Sequence, residues 1–494
     1  MFNQFKRMVR WQGRAPGKIL FLCSMVGCCL GLVAAACRGG PLGGVTPPPP
    51  VFIPIVISSA ATVRVDYQAV IGPGPAEYGV NGWWTDQDAD LWRTRYAQLA
   101  PAIVRLPAAQ SMLEPRNDDS DPTHINRQGF LFDQPFPWQG RTITFRQWLS
   151  TLRDQDITAM LHVPYLAGWL SANGDNGLMS TYPPRDLAEY SEYLRALLSF
   201  AVDEVGYPPE HLILEPVNEP DLGCGQDPNV PCFWNNWQMA DLVAVMRAAD
   251  EAAAEVAPAI RIVGVSECCG TQLAESLMDS YGGSTLLDGF TYHRYVSGDD
   301  FSDGLTRGQR LAHYGKPVYL NEYGNTTHWS NGQPGALWHA SVLPQIWAAG
   351  LNPIQFSMAE FPGSHEGYKQ LGLFTDWQDG WKLKPAYWVY ANFYRHLGGS
   401  QLVAAQGSAR AMLLAGRRPA TGQPSLAIWL TNVTADQSVL PIEIVGFPAR
   451  TAHLQVYNNL QGDDPVASLE LAGESLRFDF RLPAASSFCI VVQP

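Results

Sequence analysis

Between residues 78 and 397 the chain repeats one pattern eight times: a short apolar run, then a longer stretch with apolar residues three and four apart. The runs are 78–81, 102–106, 158–163, 212–217, 260–265, 289–293, 317–321 and 353–357, and the helical stretches between them include 186–205 and 239–256. Short apolar runs of this kind mark strands buried on both faces, which a parallel sheet covered by helices requires. Eight such units predict an α/β fold, a (β/α)8 TIM barrel over residues 78–398. A doubly wound open sheet is the alternative, and it is disfavoured because no glycine-rich phosphate loop follows the first strand.

From residue 399 to 494 the helical period disappears. Alternating strands such as 425–430 and 452–457 predict a small all-β sandwich. An isolated strand at 61–65, within a segment 60–77 ahead of the barrel, is expected to add itself to that sandwich. At the N-terminus, Lys6, Arg7, Arg10, Arg14 and Lys18 precede an uncharged run over 19–36 that ends in Val33-Ala34-Ala35-Ala36-Cys37. This is an export signal. It resembles a bacterial lipoprotein signal, in which Cys37 would become the lipidated first residue, although Ala34 stands where such signals carry leucine. The rival is an uncleaved anchor, since about 18 apolar residues just suffice to span a bilayer. Either reading places the protein outside the cytoplasm, held to the membrane through its N-terminus only. Residues 37–59 are rich in Gly and Pro and read as an extended spacer.

The formal charge is −13, and removing residues 1–36 takes away five basic residues and no acid, so the exported part is more acidic still. That excludes nucleic acid as a partner, because its binding requires clustered cations. Among the nine cysteines, Cys224 and Cys232 flank a short Gly/Pro/Asp-rich loop and are expected to form a disulfide in an oxidising compartment. Cys489 lies in an apolar run and reads as a buried thiol, while Cys268 and Cys269 stay unassigned. No histidine stands at ligand spacing near Cys224 or Cys232, which disfavours zinc there, and no metal or organic cofactor is implied.

Barrels of this kind carry their reacting groups at the C-terminal ends of strands. The fourth run closes in Asn218-Glu219-Pro220 and the seventh in Asn321-Glu322-Tyr323-Gly324. Pro220 cannot continue a central strand, which fixes Glu219 near its end. Two carboxylates so placed suit cleavage of a glycosidic bond, one protonating the departing oxygen and one attacking or stabilising an oxocarbenium-like centre. With these residues the chain resembles the clan A glycoside hydrolases, retaining barrel enzymes, over residues 78–397. The lone N-terminal strand and C-terminal sandwich look most like family 39 or a related family acting on xylosides and other β-linked sugars.

The resemblance implies Glu219 as acid/base, Glu322 as nucleophile with its carboxyl about 5–5.5 Å away, and Asn218 as a ligand of the hydroxyl beside the reacting carbon. It also implies that Arg105 keeps Glu322 ionised, a structural salt bridge being the other reading. His293 and Tyr295 would hold substrate or bond to Glu322, and His162 is a weaker candidate of the same kind. Sixteen tryptophans are many for this length, and Trp83, Trp84, Trp169, Trp234, Trp329, Trp377 and Trp381 all follow strands. Each reads equally as loop packing or as a platform for a pyranose face, with Trp169 the one retained for an oligo- or polysaccharide substrate. Glu360, after the eighth run, is the competing carboxylate. A surface carbohydrate-binding protein that keeps the barrel without catalysis is the alternative function.

Overall fold

The computed structural model describes residues 56–58, 62–82, 89–135, 143–172, 174, 182–221, 237–270, 272–360, 370–376, 378–408, 411–418 and 423–494. Two N-terminal strands, β1 (Val56–Ser58) and β2 (Val63–Pro73), precede the barrel strands. These are β3 (Gly79–Asn81), β4 (Ile103–Pro107), β5 (Thr158–His162), β6 (Leu212–Glu215), β7 (Arg261–Glu267), β8 (Gly289–Val296), β9 (Val318–Asn325) and β10 (Asn352–Gln355). All pair in parallel and close on themselves in the order β10-β3-β4-β5-β6-β7-β8-β9. Each of the eight apolar runs has become one strand of the predicted TIM barrel. Helices cover the outside, and their starts are legible chemistry. Asp186 accepts the N–H groups of Ala188 and Glu189 to cap the helix Leu187–Ser199, and Thr144 with Gln147 forms a capping box on the helix Phe145–Arg153.

The barrel interior is filled, not hollow. Ile103, Met160, Ile213, Val263, Tyr319 and Ile354 meet as a closed apolar layer, each from a different strand. Because side chains along a strand repeat every two residues, the next layer on the same face is set by what stands two positions on. Those positions are Arg105, His162, Glu215 and Asn321, with Val265 and Phe356 remaining apolar, so four of the six become polar toward the strands' C-terminal ends.

The C-terminal part consists of β11 (Gln401–Ser408), β12 (Met412–Arg418), β13 (Ser425–Asn432), β14 (Ser438–Val445), β15 (Thr451–Asn458), β16 (Pro465–Ala472), β17 (Leu476–Leu482) and β18 (Ser486–Gln493). They form one mostly antiparallel sheet, β16-β15-β18-β13-β12-β11-β2-β14-β17, with β1 added to β11. The N-terminal strand β2 is thus a central member, antiparallel to β11 and parallel to β14. The sandwich arises from this single sheet folding over, so that Leu440 and Ile442 of β14 share a core with Leu454 of β15 and Ile490 of β18. Strand β13 is buried on both faces. Leu426, Ile428 and Leu430 enter the sandwich core, while Trp429 faces the barrel, donating to the Ala340 carbonyl at 3.0 Å and meeting Phe393 at 5.0 Å between ring centres. Among the described residues no helix is long and apolar enough to cross a membrane.

Candidate active site

The polar layer is organised by Arg105, a guanidinium with five donors and 1% exposure. Its Nε donates to Glu215 Oε2 at 2.5 Å and its Nη2 to Asn218 Oδ1 at 2.8 Å. Its Nη1 serves both Glu322 Oε1 at 2.6 Å and Asn81 Oδ1 at 3.0 Å. Asn81 in turn donates to the Asn321 carbonyl at 2.8 Å, and Asn321 Nδ2 donates to Glu215 Oε1 at 2.6 Å. Glu215, fully buried, also accepts from the Ser266 hydroxyl.

Two irregularities in register complete this layer. Tyr292 pairs with Leu320 but His293 pairs with Glu322, so Asn321 is an extra residue on β9. Consecutive side chains that would alternate in a regular strand then both reach the interior. The same happens on β7, where Ser266 is skipped between Val265 and Glu267 and has φ +53°. Glu219 lies beyond the end of β6 with φ +49°, left-handed backbone that is uncommon for a residue other than glycine and recurs at functional positions. Its N–H donates to the Ser266 carbonyl at 3.0 Å, tying the β6 loop to the end of β7.

Glu219 and Glu322 therefore face one another, 8% and 5% exposed. One oxygen of each, with a ring nitrogen of His293, lies within 4.8 Å of the other two. Their surroundings differ. Glu322 bonds to Arg105 and accepts the Tyr295 hydroxyl at 3.0 Å. Glu219 bonds to His293 Nδ1 at 2.7 Å, and that nitrogen is 3.6 Å from Glu322. Burial pushes the Glu219 carboxyl up to about 8, with Cys269 and Asp221 adding to the rise and Arg105 opposing it. Burial also raises Glu322, against the pull of His293 and Arg105. His293 itself is pushed down to about 4 by burial, so it is a neutral imidazole at pH 7. Between the two carboxylates, the negative charge belongs on Glu322, which holds the cation.

Each site residue expected from the sequence can now be placed. Arg105, Asn218, Tyr295 and Glu322 share hydrogen bonds, and the bonded pair Glu219–His293 meets them where His293 Nδ1 comes within 3.6 Å of Glu322. His162 borders this group beside Asn218 and Arg105, and burial lowers its proton affinity well below the ordinary histidine range. Trp169 is half-buried, and its indole N–H donates to the Glu114 carbonyl at 3.2 Å. Trp329 is buried in the barrel core and Trp381 packs edge-on to Trp92 at 5.5 Å, whereas Trp83, Trp84, Trp234 and Trp377 lie outside the described residues. Glu360 is engaged by Lys384 at 2.6 Å. Cys224 and Cys232 also lie outside the described residues, and Cys489 is a buried thiol. Sequence reasoning missed Glu215, Asn81, Ser266 and Asn321. Glu215 carried a usable signal, since it is the one charge in the run of β6 and stands two residues after the core residue Ile213.

Two carboxylates and an imidazole could in principle receive a metal. Here the Arg105 guanidinium already sits 2.6 Å from Glu322, and a second cation beside it would be repelled. Arg105→Met would leave Glu215 and Glu322 buried without their cation. It is expected to cost about 3–5 kcal/mol of stability, measurable by urea unfolding.

No family model and no curated protein matches the sequence. Solved structures do. A glucosidase from Croceicoccus marinus is similar with a TM-score of 0.67 at 16% identity, over 88% of this chain and 98% of that one. A glycoside hydrolase family 30 subfamily 8 xylanase from Clostridium acetobutylicum gives 0.63 at 15% identity, over 88% and 100%. A GH39 enzyme from Xanthomonas axonopodis pv. citri gives 0.61 at 14% identity, over 88% and 98%. The chain has the fold of GH30 and GH39 glycosidases. That shared GH30/GH39 architecture includes both the closed barrel and the second, mostly antiparallel sheet.

Proposed function

We propose that this protein is a retaining glycoside hydrolase that cleaves a β-linked glycoside or polysaccharide by double displacement, with Glu219 as acid/base and Glu322 as nucleophile. The observation that carries the reading is the pair itself: two buried carboxylates within 4.8 Å, one on a guanidinium and one without a cation. A separation this short suits direct attack on the anomeric carbon, whereas inversion needs roughly 6.5–9.5 Å to admit a water. In the first step Glu322 attacks the anomeric carbon, forming a glycosyl ester while Glu219 gives its proton to the departing oxygen. In the second, Glu219 takes a proton from water, which attacks the same carbon and releases Glu322. Arg105 and the Tyr295 hydroxyl hold one orientation of Glu322 for in-line attack. Neutral His293 orients Glu219 without neutralising it. Asn218, its Oδ1 fixed by Arg105, is left with its amide N–H groups for the neighbouring sugar hydroxyl.

A panel of activated aryl β-glycosides tests this. Release of the phenol, with the β-anomer as the first product seen by NMR, is expected; binding without turnover would favour the carbohydrate-binding alternative. Since Glu219 must enter the first step protonated and its carboxyl is pushed up to about 8, kcat/KM should hold through neutrality and fall as pH rises past about 8. At the acid end it should fall as Glu322 gains a proton. We further propose export and tethering through lipidated Cys37. Cys37→Ser should move the protein from the membrane to the soluble extracytoplasmic fraction, and an unchanged membrane fraction would point to the uncleaved anchor.

A further inference from the structure

Directly after β7 the chain runs Cys268-Cys269-Gly270, and this pair is bonded to the Glu219 loop through Asp221. Asp221, two residues beyond Glu219, accepts the Cys268 N–H at Oδ1 (2.7 Å) and the Cys269 N–H at Oδ2 (2.8 Å). Arg307 holds the preceding residue, Glu267, at 2.9 Å and donates to the Cys268 carbonyl at 3.2 Å. Both peptide units are thereby fixed, and the two sulfurs stand 2.9 Å apart. Cys268 is fully buried, whereas Cys269 is partly exposed.

We propose that Cys268 and Cys269 close into a reversible vicinal disulfide that makes the acid/base side of the site redox-sensitive, the second half of the statement resting on the function proposed above. The oxidant is a small or protein disulfide. The partly exposed Cys269, as its thiolate, attacks one donor sulfur, forming a mixed disulfide and expelling a donor thiolate. Cys268 then attacks the Cys269 sulfur, and its proton passes to the second departing donor thiolate. Two protein thiols lose two electrons, and the donor disulfide becomes two thiols. Adjacent Cα atoms are only about 3.8 Å apart, short of the roughly 4.4–6.8 Å that an unstrained disulfide spans. Such a ring belongs with the strained, readily reduced bonds that serve regulation more than stability.

The groups around Glu219 are Asp221 on its own loop, Cys268 and Cys269 after β7, His293 on β8, Glu322 on β9 and Arg105 on β4. Of these only the two cysteines change with redox state. A Cys269 thiolate raises the proton affinity of Glu219, and a disulfide carries no such charge. Oxidation should therefore move the alkaline limb of kcat/KM to lower pH, with a several-fold loss of rate on that limb.

The test uses the full chain, incubated with oxidised glutathione, quenched in acid, unfolded and mapped by mass spectrometry. The peptide carrying Cys268 and Cys269 is expected to be lighter by two hydrogen atoms, to refuse iodoacetamide, and to take two alkyl groups after reduction. Phenylarsine oxide, which bridges neighbouring thiols, should protect that peptide in the reduced wild type and not in Cys269→Ser. Alkylation of both cysteines after oxidation, retained glutathione, or a disulfide to Cys224 or Cys232 would overturn the ring. Equal rate changes on oxidation in wild type and Cys269→Ser would overturn its control of the site. The mass readout does not depend on turnover, so a chain that forms the ring yet cleaves no glycoside contradicts the proposed activity and not the ring.

Discussion

Glu322→Ala is expected to lose turnover of every glycoside, activated or not, by on the order of 10⁶-fold, the loss typical of deleting a covalent nucleophile. No glycosyl ester can form without that carboxylate, and no leaving-group chemistry compensates. Fold should survive, because Arg105 keeps its contacts with Glu215, Asn218 and Asn81. Circular dichroism and urea unfolding would separate a missing nucleophile from a collapsed site. Added azide can occupy the vacated space and attack the anomeric carbon once, so this variant should yield an α-glycosyl azide from an activated β-glycoside. Wild-type rates in Glu322→Ala would contradict the assignment and make Glu360 the next carboxylate to test.

On the proposed mechanism Glu219→Ala should behave differently, because it would remove the proton donor and leave the nucleophile in place. On glycosides with poor leaving groups the rate is expected to fall by about 10²–10⁴-fold, the usual worth of general acid–base catalysis. On an activated aryl glycoside the first step needs little protonation and should survive, while hydrolysis of the ester slows for want of a base. Azide needs no general base and should restore turnover, giving a β-glycosyl azide if the natural linkage is β. The opposite anomers from the two variants identify which carboxylate does which task. If azide rescued neither variant, both roles would be wrong.

Much of this architecture was legible before any coordinates. The barrel strands are buried on both faces, so each had to be written as an apolar run, and Asp186 and the 239–256 period marked helices in advance. Glu219 and Glu322 stand out in the sequence because each follows an asparagine where an apolar run closes, although Glu322 lies within β9 and Glu219 beyond β6. Glu215 did not, since a lone charge inside an apolar run looks like a tolerated exception until its partners are known. Register slips were equally hidden. Nothing local shows that Asn321 and Glu322 both point inward, because the bulge is a property of the β8–β9 pairing and not of either strand alone. The tryptophans after strands illustrate the limit of composition, which does not separate packing from a sugar platform: Trp329 is core. The central place of β2 in the C-terminal sheet depends on pairings hundreds of residues apart, which periodicity cannot express.

The most direct measurement is to catch the covalent intermediate. In Glu219→Ala, deglycosylation is the slow step, so an activated aryl β-glycoside that the parent enzyme cleaves should load the protein to one glycosyl group per chain. Intact mass would show the adduct, and peptide mapping after acid quench would locate it. The account expects the sugar as an ester on Glu322, disappearing when azide is added. A sugar on any other residue, or steady turnover with no adduct at all stages of the reaction, would contradict it.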